Sequence, residues 1–147
     1  MLEKIIKEKI SADHLLYVSL KYTKTCDVIQ NLIKRWTIMI SDAVDGLLIQ
    51  AKKKKKIKSI PAAPRQKSEL AKKVFKNSPE VIETIKAFEF FKKLEALPNT
   101  RESEFRKNVC LRVKYNGEEV AINLDKLKEY SKLLEDFITF VKQYLLS

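Results

Sequence analysis

The residues with the clearest chemistry in this sequence are the lysines and arginines between positions 52 and 76. This segment holds eleven basic residues and one acid, Glu69, whereas the rest of the chain holds nineteen basic and eighteen acidic residues. Lysine and arginine neutralise phosphates and release condensed counterions, which favours binding to RNA or another polyanion without sequence specificity. The predicted nucleic-acid-binding residues of the segment are Lys52, Lys53, Lys54, Lys55, Lys56, Lys58, Arg65, Lys72, Lys73 and Lys76.

Two other interpretations of this basic segment stay open. An anionic membrane surface attracts the same charges, and a lysine run can simply keep a loop solvated. Phe75 is the only aromatic residue of the segment. Because single strands are held largely by stacking of bases on aromatic rings, the segment does not predict sequence-specific single-strand recognition.

The other candidate groups favour structural roles over catalysis. His14 is the only histidine, so no mechanism or metal site that needs two can come from one chain, and its apolar neighbours predict a hydrogen-bonded histidine near the core. Asp42 and Asp45 share a helix face, where we expect exposure or pairing with a basic neighbour rather than a metal. The sequence therefore predicts no catalytic residue, no metal site and no cofactor.

The cysteines and the apolar stretches indicate the compartment. Cys26 and Cys110 match no metal-ligand spacing and are expected to be reduced and half-buried, with a single disulfide as the alternative. The first residues alternate charged and apolar types and lack the apolar core of a secretory signal. The most apolar stretch, 28–48, is interrupted by four charges. We expect a soluble, cytoplasmic protein with no membrane insertion.

Length and composition predict one mainly helical domain over residues 1–147. Hydrophobic residues make up 45% and charged residues 33% of the chain, a mixture typical of folded, helix-rich proteins. Two glycines and four prolines leave little room for the many turns of a multi-stranded β fold. The expected architecture is a bundle of four or five helices with one small β-hairpin before the C-terminal helix.

The first half of the chain predicts two long helices and a connection. Apolar residues recur at helical spacing over 2–22, with a possible kink at Ser11. Thr25 or Asp27 is expected to cap a second helix that reaches about Lys53. Mutual repulsion should fray its end at the five consecutive lysines, and a basic, proline-containing connection is predicted at about 52–67.

The second half predicts two more helices around the hairpin, after a short helix over 68–76. Ser78 and Pro79 open a helix that stops before Pro98. Alternating residues on either side of Asn116-Gly117 predict a β-hairpin over about 109–122 with a type I′ turn. Asn123 or Asp125 then caps a last helix that reaches about residue 146.

Three segments of the chain resemble archaeal members of the HEPN superfamily. Residues 12–18 and 41–48 resemble the family's first two helices, and residues 104–109 are similar to the basic segment before its last helix. The resemblance implies a helical bundle that often dimerises, with metal-independent ribonucleases as the active members. Their signature is an arginine followed four to six residues later by a histidine, on a helix facing a dimer cleft.

Arg106 matches the arginine of that signature, but no histidine follows it. The resemblance therefore implies a non-catalytic module that binds RNA or a protein partner, some such modules being paired with nucleotidyltransferases. Arg106 would still bind phosphate. His14 could supply the missing acid–base group only if the fold brought it to Arg106.

These observations leave three hypotheses. The leading one is a non-catalytic helical module that binds RNA or another polyanion through the basic segment. The alternative is a homodimer, or a subunit of a larger complex, formed through bundle helices with Trp36 and Phe137 as anchors. The third is a metal-independent ribonuclease that uses Arg106 with His14.

Overall fold

A computed structural model describes all residues, 1–147, as a helical bundle with a small antiparallel sheet. In chain order the elements are α1 (Leu2–His14), a π-helical segment (Leu15–Ser19), α2 (Leu20–Tyr22), α3 (Cys26–Lys53), α4 (Pro64–Val74), α5 (Pro79–Lys93), a 3-10 turn (Leu94–Ala96), β1 (Asn99–Glu102), β2 (Cys110–Tyr115), β3 (Glu118–Ile122) and α6 (Leu124–Leu145). The predicted mainly α fold, with a hairpin before the C-terminal helix, is confirmed.

Helix α3 is the central element, and α1, α4, α5 and α6 all pack against it. Its buried side chains surround much of the helix rather than forming one narrow stripe, which is what packing against several neighbours requires. The Thr25 hydroxyl caps it by accepting the Val28 backbone N–H at 3.3 Å, as predicted. At 1.5 Å per residue, its 28 residues extend about 40 Å, so α3 spans the molecule.

The core is continuous and includes the two residues predicted to anchor a protein interface. Trp36 stacks on Phe91 with 6.0 Å between ring centroids and meets the edge of Tyr130 at 6.2 Å. Trp36 is only 3% exposed, and Phe137 is fully buried. The prediction of Trp36 and Phe137 as interface anchors is therefore wrong, because the bundle itself uses both side chains.

The C-terminus of α3 is a closed turn, and the predicted fraying is wrong. The Lys56 backbone N–H donates to the Ala51 carbonyl and the Lys55 N–H to the Lys52 carbonyl, at 2.9 and 3.0 Å. This is the Schellman pattern, which satisfies carbonyls that a helix end otherwise leaves unpaired. Lys55 takes the left-handed conformation, with φ 61°, at the position that glycine usually occupies.

Helix α4 begins four residues earlier than predicted. Pro64 is its first residue, where the missing N–H and the fixed φ of proline are no disadvantage. The connection is consequently shorter than the predicted 52–67. Ile57 and Ile60 lie within it, half-buried against the core, and so hold the connection to the body of the protein.

The hairpin forms where predicted, and a third strand extends it. Asn116 and Gly117 both have positive φ, 52° and 80°, as a type I′ turn requires. Strand β1 pairs antiparallel with β2, so the sheet order is β1-β2-β3. Its sequence, Asn-Thr-Arg-Glu, is polar throughout and mostly exposed, and so carries no alternation that could predict it.

The predicted starts of α5 and α6 are confirmed, whereas the kink predicted at Ser11 in α1 is wrong. Asn123 caps α6, its side-chain oxygen accepting the Lys126 N–H at 2.8 Å. Ser78 precedes Pro79 at the start of α5. Helix α1 runs through Ser11, and the irregularity lies further on, in the π-helical segment Leu15–Ser19. No helix combines the length and the apolar character needed to cross a bilayer.

Candidate nucleic-acid-binding surfaces

The predicted basic residues cluster mainly beside the last turn of α3. The Lys54 ammonium lies 4.4 Å from the centre of the Tyr144 ring, and the same ring meets Phe75 edge-on at 5.0 Å. This shared ring brings the lysines after α3 next to the end of α4. We call this surface the lysine end, comprising Lys52, Lys53, Lys54, Lys55, Lys56, Lys58, Lys73 and Lys76, all of them exposed.

The lysine end carries positive charge without acidic partners. Two other basic residues of the segment are neutralised, since Lys67 pairs with Asp45 at 2.9 Å and Lys72 pairs with Glu89 at 2.8 Å. The members of the lysine end form no ion pair. Lys72, a predicted binding residue, is therefore occupied by a carboxylate, whereas the eight lysines of the lysine end remain available to an anion.

Lys54 differs from its neighbours because it is held against the protein. In addition to its position over Tyr144, its ammonium donates to the Ser147 hydroxyl. Burial raises the pKa of Tyr144 above its ordinary value, so the ring stays neutral beneath the cation. Lys54 consequently contributes to packing as well as to charge.

Arg65 lies apart from the lysine end. It opens α4 and lines a polar cavity of about 440 Å³ together with Lys92 and Lys93 of α5. The same cavity contains the carboxylates of Glu69 and Glu89. These acids, which also pair with Lys72, offset part of the local positive charge, so Arg65 is a weaker candidate for phosphate binding than the members of the lysine end.

Arg106 lies at the opposite end of the molecule from the lysine end. It belongs to the loop between β1 and β2, not to a helix. The adjacent Phe105 N–H donates to the Lys24 carbonyl at 2.6 Å, which fixes the loop beside the N-terminus of α3. The length of α3 therefore separates Arg106 from Lys53 by about 40 Å, and one binding surface cannot contain both.

Arg106 has its own basic and aromatic surroundings. We call this second surface the Phe105 end, comprising Tyr17, Lys21, Tyr22, Lys24, Phe105, Arg106, Lys107 and Lys128. A groove of about 260 Å³ is lined by Tyr17, Lys21, Lys24 and Lys128. Lys128 also lines a second groove of about 520 Å³, which reaches Lys107. The two grooves therefore adjoin at Lys128, and Phe105 lies beside them through its hydrogen bond to Lys24.

The Phe105 loop is anchored by charged groups at the start of α3. The Cys26 N–H donates to the Glu104 carboxylate at 3.3 Å, and Arg101 pairs with Asp27 at 2.7 Å. Burial, reinforced by Glu104, raises the pKa of the Cys26 thiol to about 11. The thiol therefore stays protonated at neutral pH, and it donates to the Cys110 carbonyl at 3.5 Å. Both cysteines are free, as predicted, but buried rather than half-buried.

The prediction for His14 is wrong, whereas that for the two aspartates is confirmed. His14 is exposed, makes no hydrogen bond and lines a groove between α1 and α3. No hydrogen bond connects it to Arg106, and that groove does not include Arg106. Asp42 pairs with Lys4 at 3.5 Å, and Asp45 with Lys67, so each aspartate has the basic partner expected.

No group of three or more His, Cys, Asp or Glu side chains lies close enough together to hold a metal ion. The exposed aromatic rings of the Phe105 end were not anticipated, because a lone phenylalanine between charged residues gives no sequence signal of exposure. Comparisons with protein-family models, curated proteins and solved structures return no match to this chain.

Proposed function

We propose that this protein is a non-catalytic module that binds RNA, or another polyanion of similar charge density, through the lysine end. The observation that carries this proposal is the set of eight exposed lysines without a carboxylate partner at the hydrogen-bonded end of α3 and the adjacent end of α4. Each phosphate that such a cation neutralises adds affinity through counterion release. The closed turn at Lys55 and Lys56 supports the proposal, because it presents the cations in a fixed arrangement.

Binding through the lysine end should be lost when its lysines are replaced by neutral residues that leave the fold unchanged. We would replace Lys52, Lys53, Lys55 and Lys56 together by glutamine and leave Lys54 in place on Tyr144. Fluorescence anisotropy with labelled RNA, between about 50 and 200 mM salt, measures affinity and its salt dependence. Four lost phosphate contacts should flatten the slope of log K against log salt by up to about 3 on a single strand.

A matched variant separates local charge from net charge. Replacing Lys7, Lys86, Lys114 and Lys132 by glutamine removes the same four charges from α1, α5, β2 and α6. The proposal requires this control to keep most of the affinity and slope of the native protein. Equal losses in the two variants, or no loss in the lysine-end variant, would show that the lysine end is not the binding surface.

A second candidate function is self-association, and the α1–α3 groove favours it. Ile10 is 63% exposed and Ile38 is 44% exposed, and both line that groove with His14. Apolar side chains that face one another across a groove are suited to an interface. Light scattering over a range of concentrations tests this, with Ile10→Lys and Ile38→Lys expected to abolish any dimer. A monomer at every concentration would contradict it.

A further inference from the structure

The exposed aromatic residues of this protein all lie at the Phe105 end. Phe105 is 74%, Tyr22 is 78% and Tyr17 is 54% exposed, whereas every other aromatic side chain is buried or half-buried. One exposed ring on a surface is ordinary. Here three exposed rings lie at one end of the molecule, opposite the lysine end. The bundle does not need them for its own packing.

The backbone is strained at the position where the Phe105 ring is exposed. Ser103 and Phe105 both have left-handed φ values, 55° and 67°, although neither is glycine. Such a conformation is a real outlier for a bulky residue, and it persists only where the surroundings impose it. Here the hydrogen bond from the Phe105 N–H to the Lys24 carbonyl imposes it. The π-helical segment that carries Tyr17 is a second local irregularity on the same surface.

Cations without ion-pair partners lie on the same surface: Tyr17 shares a groove with Lys21, Lys24 and Lys128, and the Lys21 ammonium lies 5.8 Å from the centre of the Tyr22 ring. The ion pairs at this end belong to Arg101 and Arg112, which engage the neighbouring acids. Lys21, Lys24, Arg106, Lys107 and Lys128 form no ion pair. Asp125 is the one acid of the second groove without a cation partner, so the surface remains strongly positive.

Exposed rings among unpaired cations are the combination that holds unpaired bases. A base stacks on an aromatic face in any sequence, while lysine and arginine contact the flanking phosphates. Paired bases in a duplex are already stacked on one another and do not offer their faces to the protein. The lysine end has no exposed ring, because Phe75 is buried and Tyr144 is half-buried.

We propose that the Phe105 end is a second nucleic-acid site, which binds single strands by stacking unpaired bases on Phe105 and neighbouring rings. This goes beyond the binding proposed for the lysine end, and neither site depends on the other. RNA and DNA single strands share the bases and phosphates that the surface contacts, so both are ligands of the stated chemistry.

Substitution of Phe105 tests the stacking directly. We would measure anisotropy with oligouridine, oligothymidine and a duplex for native protein, Phe105→Ala and Phe105→Tyr. Loss of the ring should weaken single-strand binding about tenfold and leave the duplex unchanged, because stacking contributes only where bases are unpaired. Phe105→Tyr retains a ring and should bind as the native protein does. Ile49→Ala removes an exposed apolar side chain from α3, away from the Phe105 loop, and serves as the control.

Each outcome separates this site from the lysine end. Lysine-end variants should bind every nucleic acid more weakly and with a flatter slope of log K against log salt. Phe105→Ala should leave that slope unchanged. If Phe105→Ala weakened the binding of oligouridine but not of oligothymidine, the site would be specific for RNA, and the proposal would still hold. Unchanged single-strand affinity in Phe105→Ala, equal loss on the duplex, or no single-strand binding by the native protein would each overturn the proposal, whatever the lysine-end variants do.

Discussion

The two ends of α3 both carry unpaired cations, eight at the lysine end and five at the Phe105 end, but present them differently. At the lysine end six of the eight charges lie within residues 52–58, no exposed ring lies among them, and a Schellman turn closes the helix end that carries most of them. At the Phe105 end the charges come from three parts of the chain, 21–24, 106–107 and 128, and share that end with three exposed rings. The lysine end, whose charges lie mostly in one stretch of sequence, is therefore a purely electrostatic surface. The Phe105 end, whose charges the fold brings together, combines charge with aromatic rings.

The two ends should differ in whether they distinguish single-stranded from double-stranded nucleic acid. Counterion release depends on phosphate density and is almost independent of whether bases are paired. Stacking requires an unpaired base. On the proposed assignments, the lysine end provides general affinity, and the Phe105 end provides preference for single strands.

The largest effect we predict is a dependence on the length of the nucleic acid. A single strand long enough to reach both ends, about 40 Å apart, should gain affinity through effective concentration, by about 10- to 100-fold over a strand that reaches one. Oligouridines of about 6 and about 24 nucleotides, titrated by anisotropy, measure the difference.

Removing either end should abolish that gain. One site remains in Phe105→Ala, and one remains when glutamine replaces Lys52, Lys53, Lys55 and Lys56. The longer strand then has only a small statistical advantage. If the native protein bound both lengths with similar affinity, the two ends would not act on one strand.

The sequence predicted those elements whose signals are local. Thr25 supplied the cap of α3, Asn116-Gly117 the turn of the hairpin and Asn123 the cap of α6, and each signal lies within a few residues of the structure it specifies. Strand β1 was missed because an exposed edge strand pairs through its backbone and needs no apolar pattern. The closed turn at Lys55 was missed because glycine, its usual sequence signal, is absent.

The candidate site was predicted only where it is contiguous in the chain. The lysines after α3 were recognisable from their number alone, whereas their neutralised members, Lys67 and Lys72, could be identified only once Asp45 and Glu89 had been placed beside them. Arg106 was grouped with the lysines although the length of α3 separates them. Phe105 is exposed on a left-handed backbone conformation that no residue type near it specifies.

A smaller effect is expected from releasing the Phe105 loop. In Glu104→Ala the Cys26 N–H loses its acceptor at the start of α3, which should cost about 1 kcal/mol of local stability. The pKa of Cys26 should also fall from about 11, because Glu104 contributes to raising it, after burial. Since Cys26 is fully buried, alkylation requires local opening, and the rate at mildly alkaline pH should rise several-fold.

Mass spectrometry of iodoacetamide-treated protein gives the alkylation rate of each cysteine. Glu95→Gln is the control, because Glu95 forms an exposed ion pair with Lys34 that contributes little to stability. Lysine-end binding should stay unchanged in Glu104→Ala while single-strand affinity falls a few-fold. An unchanged rate at Cys26 would mean that Glu104 does not hold the loop.

The smallest effect on stability concerns two of the left-handed residues, Lys55 and Phe105. Glycine adopts this conformation without steric cost, so Lys55→Gly and Phe105→Gly should each raise stability by up to about 1 kcal/mol, or about 2–4 °C in Tm. Lys53→Gly removes the same charge as Lys55→Gly from a right-handed helical position and should lower stability by about 1 kcal/mol. Thermal unfolding followed by circular dichroism measures all three.

The two stabilised variants should then differ in binding. Lys55→Gly removes one of eight exposed lysines, so RNA affinity should fall less than about threefold. Phe105→Gly removes the ring and should lose single-strand affinity about tenfold despite the gain in stability. Strain at Lys55 would then be an incidental result of ending a helix without glycine, whereas strain at Phe105 would be the cost of presenting an aromatic ring to a base. Full single-strand binding by Phe105→Gly would remove this distinction and leave both ends as purely electrostatic surfaces.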